Sequence, residues 1–126
     1  MKQAHDLVMQ AKQHIQEIDI DSAERDIQNA DIIIDVREPD EYQAGHLPGA
    51  INIPRGLLEF KLSADPSLEA RDRNILLYCK TSGRAALAAA SMKEMGYLNV
   101  TSIAGGYDAW HAAGKAIAKP TLPSFE

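Results

Sequence analysis

Short apolar runs separated by helix-forming stretches decide what this chain can fold into. Ile32-Ile33-Ile34-Asp35-Val36 and Ile75-Leu76-Leu77-Tyr78 are too short for ordinary helices, and the first is β-branched. They read as strands buried on both faces, and Val100 to Ile103 repeats the scheme near the end of the chain. Between them, Pro39 suits the first turn of a helix through Tyr42 that Gly45 can terminate, and Ala85 to Met95 is rich in strong helix formers. After the break at Gly105-Gly106, a short helix is expected from about Tyr107 to Ala113. Strand and helix in alternation imply βαβ crossovers, hence an α/β fold: a parallel sheet with helices on both faces.

The flanking segments complete the pattern. Ala4, Leu7, Val8, Ala11 and Ile15 recur at three- and four-residue spacings, which predicts an extra N-terminal amphipathic helix over about residues 2–16. Ile18 and Ile20 alternate with Asp19 and Asp21 as in a strand, and Asp21 or Ser22 can then cap a helix running to about Asn29. Pro48-Gly49 turns into a further strand, Ala50-Ile51-Asn52-Ile53, and Ser63 to Arg73 reads as a polar stretch. The expected sheet therefore has five strands. We divide the chain into the N-terminal helix (1–16), packed on or beside the core, one domain (17–114) and a Pro-containing tail (115–126). The helix covers the domain's own surface or forms a dimer contact, so monomer and homodimer both stand open.

A chain of 126 residues, 45% hydrophobic, is large enough for one domain with its own core. Its formal net charge of -5 and the lack of a basic stripe exclude nucleic acid as the expected partner. No apolar run approaches the roughly 18 residues of a membrane span, and Met1 to Asp6 lacks a secretory apolar stretch, so no membrane and a cytoplasmic location are expected. The single cysteine, Cys79, cannot form an intramolecular disulfide, and no Cys/His cluster has metal-ligand spacing. Any chemistry at Cys79 belongs to a lone thiol, with no metal and no cofactor expected.

Cys79 stands at the junction between a strand and a helix, at the carboxyl edge where ligands gather in parallel sheets. In Cys79-Lys80-Thr81-Ser82-Gly83-Arg84, backbone N–H groups and the positive end of the helix favour the thiolate, and so do the cations Lys80 and Arg84. The thiolate is the nucleophilic form. The plainer reading makes Cys79 the last buried residue of its strand. Strand end, polar loop, cations and following helix together favour a reactive thiol.

Asp35 and Arg37 lie where a strand meets a loop, and we read them as an ion pair or turn anchor rather than as catalytic groups. His46, within Gly45-His46-Leu47-Pro48-Gly49, is read as tying down a turn rather than as a base. Gly105-Gly106 lacks the further glycines and lysine of a phosphate loop and is read as a tight strand-to-helix turn; Trp110 is read as packing.

Several ordered motifs resemble one family. Asp35-Val36-Arg37-Glu38 with Glu41-Tyr42, and Gly45-His46-Leu47-Pro48-Gly49-Ala50-Ile51-Asn52-Ile53-Pro54, are similar to the amino-terminal signature of the rhodanese domain. Tyr78-Cys79 through Arg84, Met95-Gly96-Tyr97 with Val100, and Gly105-Gly106-Tyr107 with Trp110 resemble its second half, so that the likeness covers about residues 17–114. The resemblance implies a sulfurtransferase in which Cys79 accepts sulfane sulfur from a donor such as thiosulfate as a persulfide. The sulfur then passes to cyanide, a small thiol or an acceptor protein thiol. It also implies that the amides of Lys80, Thr81, Ser82, Gly83 and Arg84 cradle the outer sulfur, that Arg84 helps bind an anionic donor, and that no histidine base is needed. One departure is plain: many members carry glycine three residues after the cysteine, where this chain has Ser82, with Gly83 one position later. A positive φ at that position would strain a serine.

Two other functions compete. Cysteine phosphatases and arsenate reductases also set a cysteine and an arginine around an anion loop, but in the resemblance their loop is one residue longer than Lys80 to Gly83. The smaller cradle suits a sulfur atom. A sulfur-carrier or regulatory module without turnover is the third reading, disfavoured because such modules often lose the cysteine.

Overall fold

The structure, a computed structural model, describes residues 1–120. In chain order it contains α1 (Ala4–Lys12), β1 (Gln16–Ile18), α2 (Ile20–Asn29), β2 (Ile32–Asp35), α3 (Pro39–Ala44) and β3 (Ile51–Asn52). Then follow α4 (Leu58–Ala64), β4 (Asn74–Tyr78), α5 (Gly83–Glu94), β5 (Asn99–Ile103) and α6 (Gly106–Ala112). Short 3₁₀ turns at Arg55–Leu57 and Pro66–Leu68 flank α4.

The five strands form one sheet in the order β1-β5-β4-β2-β3, and all its pairings are parallel. Register follows from burial on both faces, because a one-residue slip would exchange the two apolar sets. On one face Ile34, Val36, Ile75, Leu77 and Cys79 pack with Leu58 and Leu62 of α4 and with Ala85, Ala88, Ala89 and Met92 of α5. On the other, Ile33, Leu76, Tyr78 and Ile103 meet Ala23 of α2, Leu47 and Trp110 of α6. Burying each of the fully enclosed Leu76 and Leu77 contributes about 1.5–3 kcal/mol.

Helix α5 carries small residues because it is covered twice. Its buried alanines, Ala85, Ala86, Ala88 and Ala89, let it lie between the sheet and α1, which packs along it. Among the described residues no helix is long and apolar enough to cross a membrane.

Several boundaries differ from the expectations. The N-terminal helix stops at Lys12, not at residue 16, because Gln16 is drawn into β1 and pairs with Thr101. Ile20 is helical and Asp19, rather than Asp21 or Ser22, caps α2, its carboxylate accepting from the Ser22 amide at 3.0 Å. The third strand keeps only Ile51 and Asn52 of the expected Ala50–Ile53. Helix α4 lies where no element was expected; Leu58 and Leu62, one turn apart, bury its single apolar stripe. Of the expected tail, residues 121–126 lie outside the described residues. Its first part is held by Trp110, whose Nε1 donates to the Ala116 carbonyl at 2.7 Å, and by reciprocal backbone bonds between His46 and Ala118 at 2.9 and 2.8 Å.

Candidate active site

Cys79 directly follows β4, and Lys80, Thr81 and Ser82 bend into α5. The thiol residue is 1% exposed, whereas Lys80 and Thr81 are exposed and Ser82, Gly83 and Arg84 are half-buried. What shapes the loop comes from α6, the helix that follows the neighbouring strand β5. The Tyr107 amide donates to the Cys79 carbonyl at 2.8 Å, and the Asp108 amide donates to the Lys80 carbonyl at 3.0 Å. These are first-turn amides of α6, which have no partner inside their own helix. The loop carbonyls are thus turned toward α6. Among the described residues, no backbone carbonyl or side chain accepts from the amides of Lys80, Thr81, Ser82 or Gly83.

Gly106 makes this approach possible. It has φ 54°, and a Cβ there would run into the Cys79 carbonyl and come within 2.6 Å of the Thr81 carbonyl and 2.8 Å of the Lys80 carbonyl. The expected tight turn is therefore also a close backbone junction, which the sequence reading did not assign to the site. Ser82 has φ -151°, and among the described residues no non-glycine residue has positive φ, so the serine at the departing position carries no left-handed strain.

Arg84 reaches across to α3. Its Nη1 donates to Glu41 Oε1 at 2.7 Å and its Nη2 to Oε2 at 3.1 Å, a two-pronged ion pair. The hydrogen bond to Arg84 is the main force that lowers the Glu41 carboxyl to about 2, while burial opposes it. In return, the bond to Glu41 raises the Arg84 guanidinium against desolvation, with the charge of Glu41 and then Cys79 adding. Lys80, the other loop cation, lies 3.8 Å from Asp108 at the surface. Glu41 was not singled out from the sequence beyond its place in a motif; its distance along the chain from Arg84 leaves no local signal.

Asp35 and Arg37 form a buried pair at the end of β2. Arg37 Nη2 donates to Asp35 Oδ2 at 2.7 Å and also to the Gly45 carbonyl at 2.7 Å, and Arg37 Nε donates to Asp35 Oδ1 at 3.0 Å. The guanidinium lies 4.3 Å from the Tyr107 ring centroid. Burial works against the Arg37 charge, but hydrogen bonds to Asp35 and its field outweigh it and hold the group above its ordinary value. Burial, and next the Asp35 charge, push the Tyr78 phenol up. One arginine thus lashes β2, the end of α3 and α6 around the strand that delivers Cys79.

His46 stacks on Tyr42, with ring centroids 3.7 Å apart and planes 6° from parallel. Its Nδ1 lies 3.0 Å from the Tyr42 carbonyl, which only accepts, so the bond places the proton on Nδ1. The Nδ1 bond and the stacked ring tie this histidine to α3.

With this geometry in view, the comparison with known proteins is decisive. A model of the rhodanese-like domain matches residues 19–113. The chain belongs to the rhodanese-like family. A sulfurtransferase of Allochromatium vinosum is 30% identical over 108 residues, covering 84% of this chain and 97% of that protein. A chloroplastic thiosulfate sulfurtransferase of Arabidopsis thaliana is 35% identical over 89 residues, covering 64% of this chain and 74% of that one. Among solved structures, a protein of unknown function from Rhodopseudomonas palustris, described as a possible tyrosine phosphatase, superposes with a TM-score of 0.83 at 29% identity. It covers 94% of this chain and 96% of its own. The rhodanese-like match begins after α1, so that helix stands outside the matched segment.

Proposed function

We propose that this rhodanese-type transferase moves sulfane sulfur from thiosulfate to a thiophilic acceptor, cyanide or a thiol, through a persulfide on Cys79. In the first displacement the Cys79 thiolate attacks the outer sulfur of thiosulfate. The S–S bond of the donor breaks and sulfite leaves with the electron pair. In the second, the acceptor attacks the outer persulfide sulfur, the Cys79 thiolate leaves, and the resting protein returns. Atoms and electrons balance with no oxidant, metal or organic group.

The observation that carries this reading is the orientation of the loop. Tyr107 and Asp108 take the Cys79 and Lys80 carbonyls, while the amides of Lys80, Thr81, Ser82 and Gly83 remain uncommitted among the described residues. Such amides suit a charge that develops on one atom bonded to Cys79.

The description of the R. palustris protein makes phosphate ester hydrolysis the second reading. Loop length weighs against it here: only four residues separate Cys79 from Arg84, and the shorter arc of amides suits one sulfur atom better than a tetrahedral oxyanion. The test is a paired assay on the full chain. Thiosulfate-to-cyanide transfer is expected in the wild type and lost in Cys79→Ser, with no appreciable hydrolysis of aryl phosphates. Hydrolysis through Cys79 at a rate matching sulfur transfer would overturn the assignment.

A further inference from the structure

Helix α1 precedes the matched family segment, yet it reaches the Cys79 loop at two places. Val8 Cγ2 lies 3.5 Å from where a Cβ on Gly83 would stand, so α1 covers the first residue of α5. One turn on, Lys12 Nζ donates to Ser82 Oγ at 2.9 Å. Lys12 also lies 3.6 Å from Glu17 of β1, and both side chains are 26% exposed. The ammonium is held between a carboxylate and the loop.

The direction of the Lys12–Ser82 bond matters. An ammonium has three donors and no acceptor, so the Ser82 oxygen accepts and its own proton is left to donate. Among the described residues no group accepts that proton, and the side chain makes no cap bond to α5 although Ser82 stands at its N-cap. A hydroxyl that accepts from a cation is polarised and becomes a better donor.

We infer that Lys12 is a positioning residue of the sulfur site: through Ser82 it aims a strengthened hydrogen-bond donor at the anionic end of the sulfur donor, making α1 part of donor selection. The inference rests on the reading that Cys79 takes up sulfur, and it concerns donors that end in an oxyanion, as thiosulfate does. Glu17 offsets much of the free charge of Lys12, so the effect passes through the hydroxyl rather than through a bare field.

The test compares the wild type, Lys12→Met, Lys12→Arg, Ser82→Ala and the Lys12→Met/Ser82→Ala double variant in the full chain. Weakening of the Ser82 contact with the donor predicts that KM for thiosulfate rises about fivefold to tenfold in Lys12→Met, the change falling on KM rather than kcat. Lys12→Arg restores most of it, and the double variant is no worse than Ser82→Ala, because the two residues act in series. An unchanged KM in Lys12→Met, or effects that add in the double variant, would overturn the inference. A second measurement separates it from the assignment of function: the ratio of Cys79 alkylation rates by iodoacetate and by iodoacetamide. A several-fold fall of that ratio in Lys12→Met and Ser82→Ala supports the role in anion selection even if thiosulfate is not the donor. An equal ratio in all variants overturns it.

Discussion

Glu41 holds Arg84 through hydrogen bonds of 2.7 and 3.1 Å, tying helix α3 to the first turn of the helix that follows Cys79. Because the folded Glu41 carboxyl lies near 2 against an ordinary value of 4.5, the unfolded chain binds more protons between those values. The contribution of this pair to stability is therefore fully present above about pH 4.5 and lost as pH falls through about 2. Acid unfolding of Glu41→Gln is expected to lack that segment of the pH dependence, which chemical denaturation at pH 2.5, 4 and 6 reads directly. An identical acid slope in both proteins would contradict the pairing.

Gly106 is expected to tolerate no side chain. Gly106→Ala combines a positive φ with contact against three loop carbonyls, so it costs at least about 1 kcal/mol and displaces the loop. Sulfur transfer is expected to fall more than tenfold, on the order of 1.4 kcal/mol or more in the barrier. Gly114→Ala is the control: φ is 73°, but nothing lies within 4 Å of its Cβ position, so stability drops without loss of transfer in the folded protein. Thermal unfolding and initial rates on both variants check this, and equal rates would show that the Gly106 junction does not shape the Cys79 loop.

The Asp35–Arg37 pair predicts a stability effect. Asp35→Asn leaves the Arg37 guanidinium buried without its counter-charge, with side-chain exposures of only 4% and 0% in the pair. Breaking a buried pair in this way costs about 3–5 kcal/mol. Denaturant titration of Asp35→Asn would show it as a lowered midpoint at unchanged slope. A loss below about 1 kcal/mol, the level of an exposed pair, would contradict the burial argument.

Much of the fold was legible in local sequence because β2 and β4 are apolar runs covered on both sides. Their covering helices carry ordinary start and stop residues such as Pro39 and Gly45. The misreadings fell where tertiary contact outvoted periodicity. Ile15 precedes and Ile18 ends a three-residue edge strand whose pairing with β5 ends α1 early, and α4 buries only Leu58 and Leu62 while its Phe60 stays exposed. At the site, the loop from Cys79 to Arg84 was visible as a local string. Glu41, Gly106 and Lys12 were not, since each meets that loop from a distant part of the chain. Gly106 showed only as a turn residue, although the need for a bare backbone there comes from the loop carbonyls above it.

In the proposed mechanism Cys79 carries one sulfur atom between donor and acceptor. Intact-mass measurement of the full chain after incubation with thiosulfate and removal of the excess addresses it most directly. A gain of one sulfur is expected in the wild type, reversed by cyanide, and no gain in Cys79→Ser. A wild-type chain that stays at its unmodified mass, or a Cys79→Ser chain that gains the same sulfur, would contradict it.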